Sequence, residues 1–512
     1  VCSVNPERRL KPERERDLLN RQLERVLVLP EASLRQALSL IDKSGLGVAL
    51  VVDGERQLLG LVTDGDLRRA ILNGHTLDEP VRTVMTADPV TADEGVPREL
   101  VFGLMNFKIR HVPVVNDRRQ VCDLVCFGEL SKKIPWAVPC IGSEEENEVA
   151  DTIRSTWVTM GPKVSRLERE MAAYVGAKYA VAVSSGTAAL DVALKALNIG
   201  PGDEVIVPAL TYIATANAVL YQHATPVLAD VDPTTFNLDP EDVRRRITSR
   251  TKCIMPIDYG GQSADYDALG QIAREHRLAL VEDGAHSLGG EYKGRRLCSF
   301  GVMSTVSFHA AKVITSVEGG MVLTDDEKLA DLARVLRNQG EDPVNKYHHA
   351  VLGHNYRMTD LHAAVGLAQF RRLSEVLRRR AEIADFYTKR LAELEGKLML
   401  PAVVPERRHA WFFYPVLLHK RDEVVGYLKE KGIDTRIAWP LPIHKQPLYR
   451  PFFEGARFPV AERIAASVLN LPLYYEMSEE EAQYVVIHFK DAIVRVAENR
   501  GPLEEKPRLC ES

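Results

Sequence analysis

The sequence predicts an α/β protein with a mostly parallel sheet, an internally repeated domain before it and a short α+β region after it. Three observations carry that prediction. Between residues 150 and 395, short apolar runs alternate with helical patterns, as strands joined by crossover helices do. Residues 49–67, ALVVDGERQLLGLVTDGDL, align without gaps on residues 112–130, VPVVNDRRQVCDLVCFGEL, at an offset of 63. Residues 396–512 mix helices with shorter strands and many aromatics. The 512 residues are about 3.4 typical domain lengths, enough for two or three domains whose cores need no disulfide or metal.

Composition narrows the function classes. Lys and Arg number 66 against 71 Asp and Glu, a net charge of −5. Such near neutrality excludes a broad basic face for nucleic acid and a polybasic membrane anchor. The seven cysteines (Cys2, Cys122, Cys126, Cys140, Cys253, Cys298 and Cys510) are odd in number and include no CxxC pair. Neither a disulfide framework nor a structural zinc site is expected. No apolar run reaches the ~18 residues of a membrane span, and the charged opening VCSVNPERRLKPERERDLL is unlike a signal peptide. The expectation is a cytoplasmic protein with no membrane partner and no metal.

The elements follow in order. Residues 1–20 are dense in Arg and Glu and read as a charged tail. Residues 21–133 hold the repeat. Each unit reads as a helix, an apolar strand, a polar turn (Asp53-Gly54 or Asn116-Asp117), a second strand and another helix. Val51 matches Val114, Gln57 matches Gln120 and Leu61 matches Leu124, so each half is expected to cover the other's apolar face. The segment GLVTDGDL (60–67) and the VVD turn before it resemble a pair of CBS motifs. That resemblance implies an adenine nucleotide, its phosphate on Thr63 and its ribose on Asp66. A hydroxyl and a carboxylate suit those contacts. The second unit carries Cys126 and Glu129 at the matching positions, so one nucleotide site is expected. The other reading is a pair that only mediates dimerisation.

Prolines followed by a Glu cluster in IPWAVPCIGSEEENEV (134–149) mark a linker and a new helix start. Residues 134–395 are then the large sheet domain and 396–512 the small one. Strands are read within 179–185, 203–209, 225–231, 253–259, 278–284 and 303–309.

Polar residues gather where such sheets bind ligands, beyond the C-terminal strand ends. SSGTAAL (184–190) leads from the run YAVAV into a helix. A small-residue turn at a helix N-terminus offers free N–H groups to a phosphate, although a plain helix cap explains the motif taken singly. VEDGAHSLGG (281–290) carries Asp283 and His286 just past an apolar strand. STVSFHAAKVITSVEGGMV (304–322) sets Lys312 among small and apolar residues, where desolvation lowers a lysine pKa and frees a nucleophilic amine. Together these segments supply a phosphate cradle, a carboxylate for a pyridinium nitrogen and a lysine for an aldehyde. Those are the parts that bind pyridoxal 5′-phosphate (PLP).

From about residue 134 to 512 the chain resembles the DegT/StrS group of PLP-dependent sugar aminotransferases, which have the aspartate-aminotransferase-like fold (fold type I). The segments that carry the resemblance are 161–190, PALTYIATANAV (208–219), VEDGAHSLG, SFHAAK (307–312) and GHNYRMTDLHAAVGLAQ (353–369). It implies that Lys312 joins the cofactor aldehyde and moves the proton between substrate Cα and cofactor C4′. Asp283 would keep the pyridine nitrogen protonated. Gly186, Thr187, Ala188 and Ser307 would surround the phosphate, Tyr212 would stack on the ring, and His286 would lie by the phenolic oxygen. Asn355 would reach the phosphate of a neighbouring subunit, so at least a dimer is implied. Members with histidine in place of the lysine are dehydratases, and the presence of Lys312 favours transamination.

The resemblance also implies L-glutamate as donor and a nucleotide-linked keto sugar as acceptor. HAWFFYPV (409–416) and GIDTRIAWPLPIHKQPLYR (432–450) are similar to the group's nucleotide-sugar segments. Arg436 and His444 are expected on the diphosphate, with Trp439 or Tyr449 on a ring. The pattern is most similar to enzymes that aminate C4 of 4-keto-6-deoxyhexoses. A 3-keto sugar, an aminocyclitol ketone, and a catalytically idle sensor driven by the CBS pair are the other readings.

Overall fold

The computed structural model describes residues 23–96, 101, 104, 109–126, 133–394 and 396–498. The tail expected over 1–20 and Glu129 lie outside the described residues. The chain divides into two compact units between Lys133 and Ile134.

The first unit shows its repeat in detail. Leu27–Val28, Val48–Val52 and Leu58–Thr63 form one sheet; Ala92–Asp93, His111–Val115 and Val121–Cys126 form another. In each, the first pair is parallel and the second antiparallel. Asp53 Oδ1 accepts from the N–H groups of Glu55 and Gln57, both at 2.9 Å. Asn116 Oδ1 accepts from Arg118 at 3.0 Å and Gln120 at 2.9 Å. A short side chain folded onto its own turn thus closes both hairpins. The two turns then meet: Leu58 N–H donates to Arg119 O (2.9 Å) and Val121 N–H to Arg56 O (3.1 Å). Leu50, Val52, Leu58 and Leu61 share one buried cluster with Val115, Val121, Leu124 and Cys126. Each half covers the other.

The second unit is built on a seven-stranded sheet. Its order is Tyr179–Val183, Gly320–Thr324, Met303–Ser307, Ala279–Asp283, Thr251–Ile254, Glu204–Pro208 and Thr225–Ala229. Within it, Gly320–Thr324 is antiparallel to both neighbours and the remaining pairs are parallel. Both faces are buried. Val205, Val207, Val281 and Val306 enter one core, while Ile206, Ile254 and Leu280 enter the other. Burial on both sides is why these strands read as continuous apolar runs.

Near the C-terminal end, Leu398–Met399, Pro415–Leu418 and Val468–Asn470 form a small antiparallel sheet. Its core includes Tyr387, Tyr414, Leu428 and Phe489. The segment 438–465 leaves that core and packs on the large sheet domain. Ile443 N–H donates to Ala209 O (2.9 Å), and Val460 and Ala461 N–H donate to the Asp230 carboxylate (3.0 and 2.8 Å). The stretch read as a linker is also tied in. Ile134 N–H donates to Gly432 O (2.9 Å), Asp434 N–H donates to Ile134 O (2.8 Å), and Trp136 packs on Phe413 at 5.7 Å. Its prolines break a helix without breaking the packing. Among the described residues, no helix is long and apolar enough to cross a membrane, and no acidic, His or Cys cluster is set to hold a metal.

Candidate active site

Asp283 ends the strand Ala279–Asp283 and is buried. Thr215 Oγ1 donates to its Oδ2 at 2.8 Å, and Ala285 N–H donates to its Oδ1 at 3.2 Å. Thr211 Oγ1 lies 2.7 Å from Thr215 Oγ1. Since a hydroxyl has one proton and that of Thr215 goes to the carboxylate, Thr211 is the donor of this pair. Burial pushes the Asp283 pKa up, while Thr215, Ala285 N–H and Lys312 oppose the rise. The hydrogen bonds and the lysine therefore favour the carboxylate that a cationic partner needs.

Lys312 lies in the turn after Met303–Ser307, with its N–H donating to His309 O at 2.9 Å. Its Nζ sits 4.5 Å from the centre of the Phe412 ring. Desolvation brings its pKa from 10.5 down to about 8, against the pull of Asp283. Phe412 is itself held: buried Arg380 donates to Trp411 O (2.8 Å) and Phe412 O (3.0 Å). The lysine is thus an amine set over an apolar wall, its proton held less tightly than that of a solvated lysine.

His286 lies between aromatic rings, Phe412 at 4.3 Å and Trp439 at 5.5 Å, the latter almost parallel. Burial, and then the Lys312 charge, hold its pKa well below 6.5. The imidazole is neutral, and Gly260 N–H donates to its Nδ1 at 3.4 Å. That contact leaves the ring proton on Nε2, which faces any partner as a donor.

The turn expected to hold the phosphate is one that larger residues would fill. The helix Gly186–Ala196 begins at Ser185, and its first N–H groups have no acceptor within the helix. A Cβ on Gly186 would stand 2.8 Å from Ser307 Cβ, which places Ser307 against this turn, and a Cβ on Gly320 would collide with Ser185 O. Ala188, expected beside the phosphate, has its N–H taken by Ser185 Oγ at 3.1 Å, because a serine in this position caps its own helix. Tyr212 is 57% exposed and Asn355 is also exposed.

The expected sugar residues separate. Arg436 is exposed, its guanidinium 5.9 Å from the Trp136 ring centre. Trp439 stacks on His286, as above. His444 is buried, with Nε2 on Glu462 Oε1 at 3.2 Å. Tyr449 is wholly buried and its hydroxyl donates to Asn217 Oδ1 at 2.8 Å. Both are turned inward: His444, expected on the diphosphate, is held by Glu462, and Tyr449, expected on a ring, serves the core. Sequence reasoning missed Thr211, Thr215 and Arg380. The threonines stand four apart at a helix start within PALTYIATANAV, a spacing that puts both hydroxyls on one side.

A carboxylate, a lysine of lowered pKa, a neutral imidazole donor and an anion-binding helix start fit PLP at its nitrogen, aldehyde, phenolic oxygen and phosphate. When bound, PLP supplies the electron sink for chemistry at an amino-group carbon. The class is a PLP-dependent transferase of fold type I.

Comparison with known proteins gives the family. The model of the DegT/DnrJ/EryC1/StrS aminotransferase family matches residues 139–490, and that of the CBS domain matches 16–73 and 81–135. The chain is 41% identical over 379 residues to the spore coat polysaccharide biosynthesis protein SpsC of Bacillus subtilis (strain 168), covering 70% of this chain and 97% of SpsC. It is 40% identical over 368 residues to the GDP-perosamine synthase of Caulobacter vibrioides, covering 71% and 99%. Its structure is similar to the PLP-form of the putative sugar aminotransferase Spr1654 from Streptococcus pneumoniae, with a TM-score of 0.68, 31% identity, and 71% and 99% of the two chains covered. That protein is also solved in a PMP-form. The chain belongs to the DegT/DnrJ/EryC1/StrS aminotransferase family, and it is a PLP-dependent aminotransferase that carries a CBS domain pair.

The first unit has a cleft of its own. A cleft of about 1180 Å³ is lined by Thr63, Asp66, Arg69, Arg110, His111 and Cys126, among others. Thr63 and Asp66 also cap the helix Asp64–Leu72. Thr63 N–H donates to Asp66 Oδ2 at 2.9 Å, and Asp66 N–H donates to Thr63 Oγ1 at 3.2 Å. The pair expected to hold a nucleotide thus also fixes the helix start that faces the cleft.

Proposed function

We propose that the protein moves the amino group of an amino acid, L-glutamate, onto the ketone of a nucleotide-linked sugar, a 4-keto-6-deoxyhexose, for polysaccharide biosynthesis in the cytoplasm. The carrying observation is Lys312: a lysine of pKa about 8 both takes a proton from carbon and returns one, so one residue serves the two half-reactions. Asp283, held by Thr215, balances charge at the far end. Arg436, exposed near the aromatic wall of Trp136, supplies a cation for the diphosphate. The names of SpsC and the GDP-perosamine synthase support the sugar and its use. The working form is a homodimer or a larger homo-oligomer, in which Asn355 of one copy reaches the cofactor phosphate of the next and Tyr212 covers the ring. The cleft of the first unit senses an adenine nucleotide through Thr63 and Asp66, with the arginines there as phosphate partners.

The test is a screen of nucleotide-linked 4-keto-6-deoxyhexoses, 3-keto sugars and cyclitol ketones with L-glutamate, read by product mass. The expected result is an amino product from a 4-keto-6-deoxyhexose. Amination of only another ketone would overturn the sugar assignment, and no turnover of any would favour the idle sensor. Run on the full chain, AMP or ATP is expected to raise the melting temperature, and Asp66→Asn, which preserves the cap, to abolish the rise.

A further inference from the structure

We propose that Asp191 and His354 form a clamp that aims Asn355 outward, so that each subunit completes the cofactor site of a second copy. The proposal rests on the role given to Asn355 above.

Asp191 is 3% exposed and lies on the helix Gly186–Ala196, whose N-terminus makes the phosphate cradle. No step of the chemistry uses it. Aspartate is a weak helix former, and a buried carboxylate is costly unless it is paired. Here it has three partners: Gln222 Nε2 donates to Oδ1, His354 Nε2 lies 3.5 Å from Oδ2, and the Tyr356 side chain is hydrogen-bonded to the same carboxylate. Lys195 Nζ, one helical turn on, lies 3.4 Å from the same imidazole nitrogen.

The His354 ring stacks on that of Tyr356 at 4.7 Å, 14° from parallel. Those residues are two apart on an extended segment, so they share a side and Asn355 faces the other. The burial agrees: Asn355 is exposed and its two neighbours are partly buried. Backbone bonds fix the same segment on both edges. His354 N–H donates to Leu336 O (2.7 Å), Tyr356 N–H to Arg337 O (2.9 Å) and Ser184 N–H to Tyr356 O (2.8 Å). The last joins the segment to the turn that starts the cradle. Asp191 therefore ties a residue offered to a second copy to the helix that serves its own copy.

The experiment uses full-length holoenzyme. Cofactor retention is measured by visible absorbance after gel filtration for Asp191→Asn, His354→Ala and Asn355→Ala. Each is examined alone and paired with Lys312→Ala in mixed dimers isolated through two different tags. A Lys312→Ala subunit lacks the amine but keeps Asn355 and its clamp. Alone, the three variants are expected to hold the cofactor about tenfold more weakly than wild type. In mixed dimers, all three are expected to recover wild-type retention at their own Lys312. If Asn355→Ala recovers while Asp191→Asn and His354→Ala do not, the clamp is overturned and both residues act within their own subunit. If Asn355→Ala alone binds as wild type, or fails to recover in the mixed dimer, the shared-site role of Asn355 is wrong and the clamp falls with it. Asp191→Asn is isosteric and His354 is partly exposed, so a folding defect in one leaves the other as the test.

Discussion

Lys312 shows how much a single residue owes to its surroundings. Among ordinary solvated lysines it would hold its proton to about pH 10.5; here desolvation brings that to about 8. The folded, cofactor-free chain therefore gives up this proton well before the unfolded chain does. Below pH 8 both states are protonated and the cost of burying the ammonium is fully present. Between about 8 and 10.5 the unfolded state binds the extra proton, so stability rises with pH across that window. Lys312→Met is expected to melt higher than the wild-type apoenzyme near pH 7, with the gap closing towards pH 10.5. Thermal melts at several pH values check this, and a gap that does not depend on pH would remove the claim. Lys312, Asp283 and His286 were visible in the sequence because each follows an apolar run in an unusual residue company. Thr215 and Arg380 were not, since a threonine on a helix and an arginine in a charged run look ordinary until their partners are known.

At the scale of elements, the cradle depends on two glycines that the chain places far apart. Gly186 opens the helix and Gly320 opens the antiparallel strand Gly320–Thr324, and both lack room for a Cβ. At Gly186 the obstacle is Ser307 Cβ at 2.8 Å, which moves only with the strand that carries it. Backbone carbonyl Ser185 O is the obstacle at Gly320, and it has less freedom. Gly186→Ala is expected to weaken cofactor retention and to cost less stability than Gly320→Ala, since its closest approach of 2.8 Å is the milder overlap. Gly320→Ala is expected to cost about 1–3 kcal/mol by the overpacking it forces, measured by urea unfolding. Equal stability of the two variants would show that the turn is softer than its packing implies. Six strands of the main sheet were legible as apolar runs, because burial on both faces leaves no polar alternation to confuse them, although the run at 253–259 belongs to a strand that ends at Ile254. The seventh, Gly320–Thr324, is not among the strands read from the sequence. Its pairing with Tyr179–Val183 spans nearly 150 residues of chain, and nothing local to GMVLT announces such a partner.

At the scale of the whole molecule, the chain joins two units with separate cores. About 70% of this chain accounts for 97% of SpsC, so the second unit corresponds to a protein that stands without the first. A fragment of residues 134–512 is expected to fold, bind PLP and transaminate, while losing any response to adenine nucleotides. Calorimetry of the full chain should show two transitions, the one assigned to the first unit being absent from the fragment. A fragment that stays insoluble or cofactor-free would mean that the second unit needs the first.

The sequence alone determined the class of chemistry, the repeat and most of the strands. Those features are written in local patterns: apolar runs, an internal offset, and reactive residues set just past strand ends. Only the tertiary structure decided which of the late aromatic and basic residues face the site. Trp439 stacks on His286 and Arg436 is exposed, whereas His444 and Tyr449, from the same stretch, turn into the packing. Tertiary structure also decided what holds the buried carboxylates, Thr215 on Asp283 and Gln222 and His354 on Asp191. Hydrogen bonds between residues distant along the chain depend on how elements pack, and no local pattern encodes that.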